Sequence, residues 1–139
     1  MVTPPVTIIA PAWNEEHVIV DSVRSILRTD YPNLEVVVVD NASADETVPA
    51  VRSRFPWATL IVNDDNLGYV GGNNVGIRYA LSQPTDYVFI LNSDTKMTPD
   101  VLDELVGVMQ TDPRIAIAGA KNLYMENPEF TWGKYGFSM

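Results

Sequence analysis

The 139-residue sequence contains no cysteine. Disulfides, thiolate chemistry and sulfur-ligated zinc are therefore excluded. Histidine is nearly absent too. His17 sits at an expected helix start and reads as a solvated surface residue rather than a general base. Cations are scarce: nine Lys and Arg face eighteen Asp and Glu, for a net charge of −9. The nine are scattered, so the basic patch that a nucleic-acid binder needs is not expected. An acidic chain can still hold a phosphate-bearing ligand, through backbone N–H groups, helix N-termini or a divalent cation. Long apolar runs are missing. Val36–Val39 and Tyr87–Leu91 fall far below the ~18–20 residues of a membrane span. The opening Met1-Val2-Thr3-Pro4-Pro5 lacks the basic and apolar regions of a signal peptide. A cytoplasmic setting is expected. No internal repeat, low-complexity tract or linker stands out.

What is present suits one globular domain. Hydrophobic residues make up 46% and charged residues 19%, which is no disordered composition. A chain of this size buries roughly two-thirds of its unfolded surface, enough for one core.

Short apolar runs alternate with amphipathic stretches. Val6–Ala10 reads as a first strand. Val18–Leu27 reads as a helix with Ile19, Val23, Ile26 and Leu27 on one face. Glu35–Asp40 holds four consecutive valines, as in a parallel strand covered on both sides. Ser43 is placed to cap a helix from about Asp45, with Asp45 and Glu46 in its first turn and Pro49 close behind. Ala58–Val62 is expected as a third strand and Asn74–Leu81 as a helix with Ile77, Ala80 and Leu81 inward. Tyr87–Leu91 follows as a strand, Pro99–Gln110 as a helix and Ile115–Ala118 as a fifth strand. This order predicts an α/β fold, an open, mostly parallel Rossmann-like sheet with helices on both faces. Residues 1–121 would form that domain. Residues 122–139, with Tyr124, Phe130, Trp132, Tyr135 and Phe137, read as an irregular aromatic tail.

Ligands of such sheets bind outside the carboxyl ends of the strands, near the switch in strand order. The residues expected there are polar and glycine-rich. They are Pro11-Ala12-Trp13-Asn14-Glu15, Asp40-Asn41-Ala42-Ser43, the run from Asn63 to Asn74, and Asn92-Ser93-Asp94. Taken singly, each has a structural explanation. Asp40 and Ser43 suit helix caps, Gly71-Gly72 a tight turn, Asn92-Ser93-Asp94 a cap, and Trp13 a core aromatic. Their meeting at one edge favours a ligand site.

These segments resemble the inverting family 2 glycosyltransferases of the GT-A fold. Pro11–Glu15 is similar to that family's P-x-Y-N-E opening, with Trp13 at the tyrosine position. Val38–Thr47 resembles its V-V-D-N-x-S-x-D-x-T signature. Asn66–Gly76 resembles the N-x-G-F-x-G-G-x-N-x-G loop of a rhamnosyltransferase-like branch, and Leu91–Thr95 that branch's L-N-x-D metal motif. The resemblance implies a hexosyltransferase-type donor site. Trp13 would stack on a pyrimidine base and Asp40 would accept from its imide or the ribose. Pro11, Asn14 and Glu15 would shape the pocket. Asn66, Gly68, Gly72 and Asn74 would line the diphosphate and sugar side, next to Asn92. Asp94 would hold Mg²⁺ or Mn²⁺ against the diphosphate.

Asn92 stands where many relatives have Asp, so cation binding is expected to depend on bound nucleotide. Asn73 stands where many carry a basic residue. The resemblance places the general base in a second half, beyond Met139, so a truncated donor-binding domain with little transfer activity alone is expected. The donor is expected to be a UDP- or dTDP-sugar, with guanosine diphosphate still open. Other readings stay open: an enzyme completed by a partner chain, a non-catalytic nucleotide-binding or oligomerisation module, and a nucleotidyltransferase without its basic N-terminal loop. A homodimer through the exposed C-terminal side, including Trp132 and Phe137, is expected.

Overall fold

A computed structural model describes residues 3–129. Phe130, Trp132, Tyr135 and Phe137, expected in the aromatic tail, lie outside the described residues. The chain divides into two compact units, one through Pro99 and one from Asp100.

The first unit is built on four parallel strands, β1 (Val6–Ala12), β2 (Leu34–Asp40), β3 (Thr59–Val62) and β4 (Tyr87–Ile90). Their order in the sheet is β3-β2-β1-β4. The helices of this unit are α1 (Ile19–Ile26), α2 (Thr47–Arg54) and α3 (Gly68–Leu81). The α/β expectation therefore holds, with a parallel sheet and helices on both faces.

The valine run explains the layers. Side chains alternate across a strand, so its two sets serve two faces. Val38 and Ala12 join Ile19 and Val23 of α1 and Val51 of α2 in one core. Val37, Val39 and Ile9 join Ala80 of α3 in the other. Each fully buried aliphatic side chain contributes about 1.5–3 kcal/mol. Ile9, Val37, Val38 and Val39 are all completely buried. On α1, Ile19, Val23 and Ile26 face the core at helical spacing. Leu27 falls just past the last turn and is exposed, contrary to its expected place on that face.

Four further expectations need correction. The helix expected from Asn74 starts at Gly68 and takes in the glycine run. The glycines are helical because they let α3 approach the sheet. A Cβ on Gly76 would lie 2.5 Å from Ile9 Cγ2 and 3.1 Å from Val39 Cγ2. Leu81, expected inward, is 74% exposed at the end of that helix. Ser43 caps nothing. The second helix starts only at Thr47, and Asp45 Oδ1 accepts from the Thr47 N–H at 3.0 Å. No fifth strand forms at 115–118. Ile117 there is 88% exposed, and an apolar tetrapeptide without a neighbouring strand to complete its hydrogen bonds stays irregular. In the second unit, α4 (Val101–Thr111) forms within the expected helical stretch and buries Leu102 and Val106. No helix among the described residues is long and apolar enough to cross a membrane.

Candidate functional site

Strand register brings the carboxyl ends level. Ala12 pairs with Asp40, and Asp40 with Val62. On the other side Ile9 pairs with Ile90, so Leu91 and Asn92 leave the sheet beside Pro11. The chain moves outward from β1 to β2 to β3, then returns to place β4 on the other flank of β1. The strand order thus reverses between β1 and β4, where open α/β sheets have their crevice.

A cleft of about 350 Å³ opens there. Pro11, Ala12, Trp13 and Glu15 line it from the end of β1, and Asn41 from the end of β2. Asn66, Gly68 and Tyr69 line it from the entrance of α3, and Asn92, Ser93 and Asp94 from the exit of β4. Trp13 is 53% exposed, so it is no core aromatic but an open indole surface on the cleft wall.

Two loops are clasped together beneath Trp13. The Asn14 N–H donates to Ser43 Oγ at 2.9 Å, and Asn14 Oδ1 accepts from the Ala44 N–H at 2.8 Å. The Glu15 N–H donates to Thr47 Oγ1 at 2.8 Å. The Glu16 N–H donates to Asp45 Oδ2, and Glu16 Oε2 accepts from the Glu46 N–H. Asn14 (φ 54°) and Ala42 (φ 59°) both take the left-handed conformation to make this fit. Ser43 is thus a loop-to-loop acceptor, which explains why it caps no helix.

Four residues expected at the site do not line the cleft. Asn14 works in the clasp. Asp40 is fully buried, with Oδ2 accepting from the Ser43 N–H at 2.9 Å and Oδ1 without a hydrogen-bond partner among the described residues. Gly72 lies against Asn41, where a Cβ would come within 2.5 Å of Nδ2. Asn74 is exposed on α3 outside the cleft. Its neighbour Asn73 is buried and donates to the Tyr69 carbonyl at 3.0 Å.

Four cleft residues, Ala12, Asn41, Tyr69 and Ser93, lie in the polar strand-end segments of the sequence without an assigned role there. Asn41 is the hub. Its Nδ2 donates to the Gly68 carbonyl at 3.1 Å, and its Oδ1 accepts from Asn63 Nδ2 at 2.9 Å. Tyr69 Oη donates to Asn92 Oδ1 at 3.0 Å. Ser93 is buried beside Glu15 and Asp94. Their position at the strand ends is the signal that the sequence offers for them.

The β4 exit is held by α1. Ser22 Oγ donates to the Thr95 carbonyl at 2.7 Å, and Ser25 Oγ accepts from the Met97 N–H at 2.9 Å. Lys96 pairs with Asp21 at 3.2 Å. These bonds fix the segment carrying Asp94.

The electrostatics are unbalanced. Among the described residues no Lys or Arg lines the cleft, yet Glu15 and Asp94 both do. Burial raises the Glu15 pKa above its ordinary value, the Asp94 charge raises it further, and a Ser93 hydrogen bond opposes both. Two carboxylates with a neutral oxygen from Ser93 offer hard donors of the kind that suit Mg²⁺ or Mn²⁺. Among the described residues no three His, Cys, Asp or Glu gather as a ready metal cage. Such a site would need oxygens from a ligand to complete it.

The model of the glycosyl transferase family 2 domain matches residues 7–137. Succinoglycan biosynthesis protein ExoO of Rhizobium meliloti (strain 1021) is 36% identical over 105 residues, which is 74% of this chain and 29% of that protein. The UDP-Glc:alpha-D-GlcNAc-diphosphoundecaprenol beta-1,3-glucosyltransferase WfgD of Escherichia coli is 30% identical over 105 residues, 75% of this chain and 40% of its own length. Among solved structures, the mannosyltransferase PcManGT from Pyrobaculum calidifontis, in complex with GDP-Man and Mn²⁺, superposes with a TM-score of 0.70 at 32% identity. That match covers 81% of this chain and 34% of that one. The chain therefore spans less than half the length of each of these three proteins.

Proposed function

The chain belongs to glycosyl transferase family 2, and from that premise we propose that its first unit binds the nucleoside diphosphate of a sugar donor together with a divalent cation. The observation that carries this reading is the cleft at the β1–β4 switch, which among the described residues pairs an open indole with two carboxylates and no basic residue. An indole face suits a base, and carboxylates suit a cation that bridges to phosphate. The relatives support the same direction. WfgD is named for a UDP-glucose donor, and the mannosyltransferase is described with GDP-Man and Mn²⁺.

In this reading Trp13 stacks on the base at the cleft wall. Asp40 is buried behind the cleft lining and acts indirectly, through the Ser43 N–H that it holds. Asp94, with Glu15 beside it, holds Mg²⁺ or Mn²⁺, which when bound neutralises charge on the leaving diphosphate. Asn66 and Gly68 face the diphosphate and sugar. Asn14 and Gly72 act indirectly, by fixing the Trp13 loop and Asn41. We assign a uridine or thymidine diphosphate sugar as donor, in the rhamnosyltransferase-like manner, in a cytoplasmic setting. The carboxylates lining the cleft are both committed to the cation, so these 139 residues alone are read as binding donor with little transfer.

Calorimetric titration with uridine, thymidine and guanosine diphosphates, with and without Mn²⁺, tests the reading. Micromolar to millimolar binding that Mn²⁺ tightens at least tenfold is expected, together with loss of that gain in Asp94→Ala. Failure to bind any of the three at millimolar concentration would sink it. Self-association is part of the reading, supported by the exposed Ile117, Leu123, Tyr124 and Met125 of the second unit. A strict monomer in light scattering at high concentration would remove that part alone.

A further inference from the structure

The second position of the segment leaving β4 is an amide, Asn92, and its oxygen already accepts a hydrogen bond. Tyr69 Oη donates to Asn92 Oδ1 at 3.0 Å. The two residues belong to opposite walls of the cleft, α3 and the β4 exit, and both line it. Tyr69 is 60% exposed, so its hydroxyl is not held there by core packing. A planar amide has one acceptor end and one donor end. With Oδ1 committed to Tyr69, what Asn92 offers the cleft is its Nδ2 hydrogens, which pair with no acceptor among the described residues.

That donor is of value in this cleft. Glu15 and Asp94 supply negative charge, and among the described residues no Lys or Arg lines the cleft beside them. An anionic ligand entering here needs donors that carry no competing carboxylate. An Asp at position 92 would add acceptors and charge instead, while an Asn with a free-turning amide could present either end.

We propose that Tyr69 is a positioning residue that locks the Asn92 side chain with its Nδ2 toward the ligand, so that Asn92 serves as a neutral hydrogen-bond donor to a phosphate oxygen rather than as a cation ligand. The proposal rests on the donor-binding reading above. It names which residue meets the diphosphate and which residue orients it.

The test uses the nucleoside diphosphate that binds the full chain most tightly of the uridine, thymidine and guanosine series, against its parent nucleoside. Both are titrated in chelator and in Mn²⁺. Tyr69→Phe keeps the ring and removes the hydroxyl. It is expected to weaken diphosphate binding in chelator about threefold to tenfold, the range of one ordinary hydrogen bond. Binding of the parent nucleoside should not change. Asn92→Asp is expected to weaken diphosphate binding in chelator at least tenfold while keeping the gain from Mn²⁺. Adding Tyr69→Phe to Asn92→Asp should cost nothing more, since the amide it orients is gone. Wild-type affinity in Tyr69→Phe overturns the proposal. So does an equal loss for nucleoside and diphosphate, which would mark a structural effect, and so does simple multiplication of the two single losses. If the wild type binds no diphosphate at all, the donor-binding reading fails and this assignment falls with it. If the wild type binds and Tyr69→Phe changes nothing, only the Tyr69 assignment falls.

Discussion

The two walls of the cleft are made rigid by different means. On the α1/α2 side, loops of ordinary composition are tied by hydrogen bonds between backbone N–H groups and the side chains of Asn14, Ser43, Asp45, Glu16 and Thr47. On the α3 side, removal of side chains does the work. Gly72 and Gly76 bring the helix backbone onto Asn41, Ile9 and Val39. The first wall is specified by polar partners, each of modest worth. The second is specified by volume, where a single methyl has nowhere to go. The two should therefore fail differently.

The largest effect is expected on the glycine wall. Gly76→Val puts a branched side chain where even a Cβ would sit 2.5 Å from Ile9 Cγ2. Ile9 is completely buried in the centre of the sheet and cannot swing away. Overpacking of this kind costs about 1–3 kcal/mol, and the upper end is expected here because the helix must lift off the sheet. Urea unfolding should show a lower midpoint with an unchanged slope. A midpoint within experimental error of the wild type would mean that the close approach of α3 is not a packing constraint.

A middle-sized effect is expected in the clasp. Thr47 is fully buried and accepts the Glu15 N–H at 2.8 Å. Thr47→Val conserves volume and deletes the acceptor. The unpaired N–H should cost about 1–2 kcal/mol. The variant should also lose part of the Mn²⁺-dependent gain in nucleotide affinity, because Glu15 is no longer anchored beside Asp94. The Gly76 and Thr47 effects should add, since α2 and α3 pack into separate cores on opposite faces of the sheet. A strong departure from additivity would show that the walls are one cooperative unit.

The contrast also shows which features could be read in advance. The valine run of β2 and the period of α1 name their own environments, because burial on two faces or on one stripe leaves a direct pattern. The polar edge was legible for the same reason: strand ends in a parallel sheet must gather. The start of α3 was not legible. Gly71-Gly72 lowers helix propensity locally, and only the sheet beneath explains why helix wins there. Ser43 and Asn41 were misjudged or passed over because their partners, Asn14 and Asn63, lie in other loops. Ile115–Ala118 has strand composition, yet composition cannot supply a neighbouring strand.

The smallest effect separates folding from function at the point where the walls meet the cation site. Burial and the Asp94 charge raise the Glu15 pKa in the folded chain above its ordinary value of 4.5. The folded state therefore binds this proton more tightly than the unfolded state does. Below the unfolded pKa both states are protonated and the residue is neutral in its effect. As pH rises through the folded pKa the carboxylate forms against its surroundings, and the fold loses stability. Glu15→Gln should remove that loss. A small rise in Tm is expected at pH 7, shrinking as the pH falls below the ordinary value of this carboxyl. The same variant should weaken the Mn²⁺-dependent part of nucleotide binding, so stability and cation affinity move in opposite directions. A Glu15→Gln chain that is less stable at pH 7 would mean that the clasp, rather than the repulsion from Asp94, decides what Glu15 contributes.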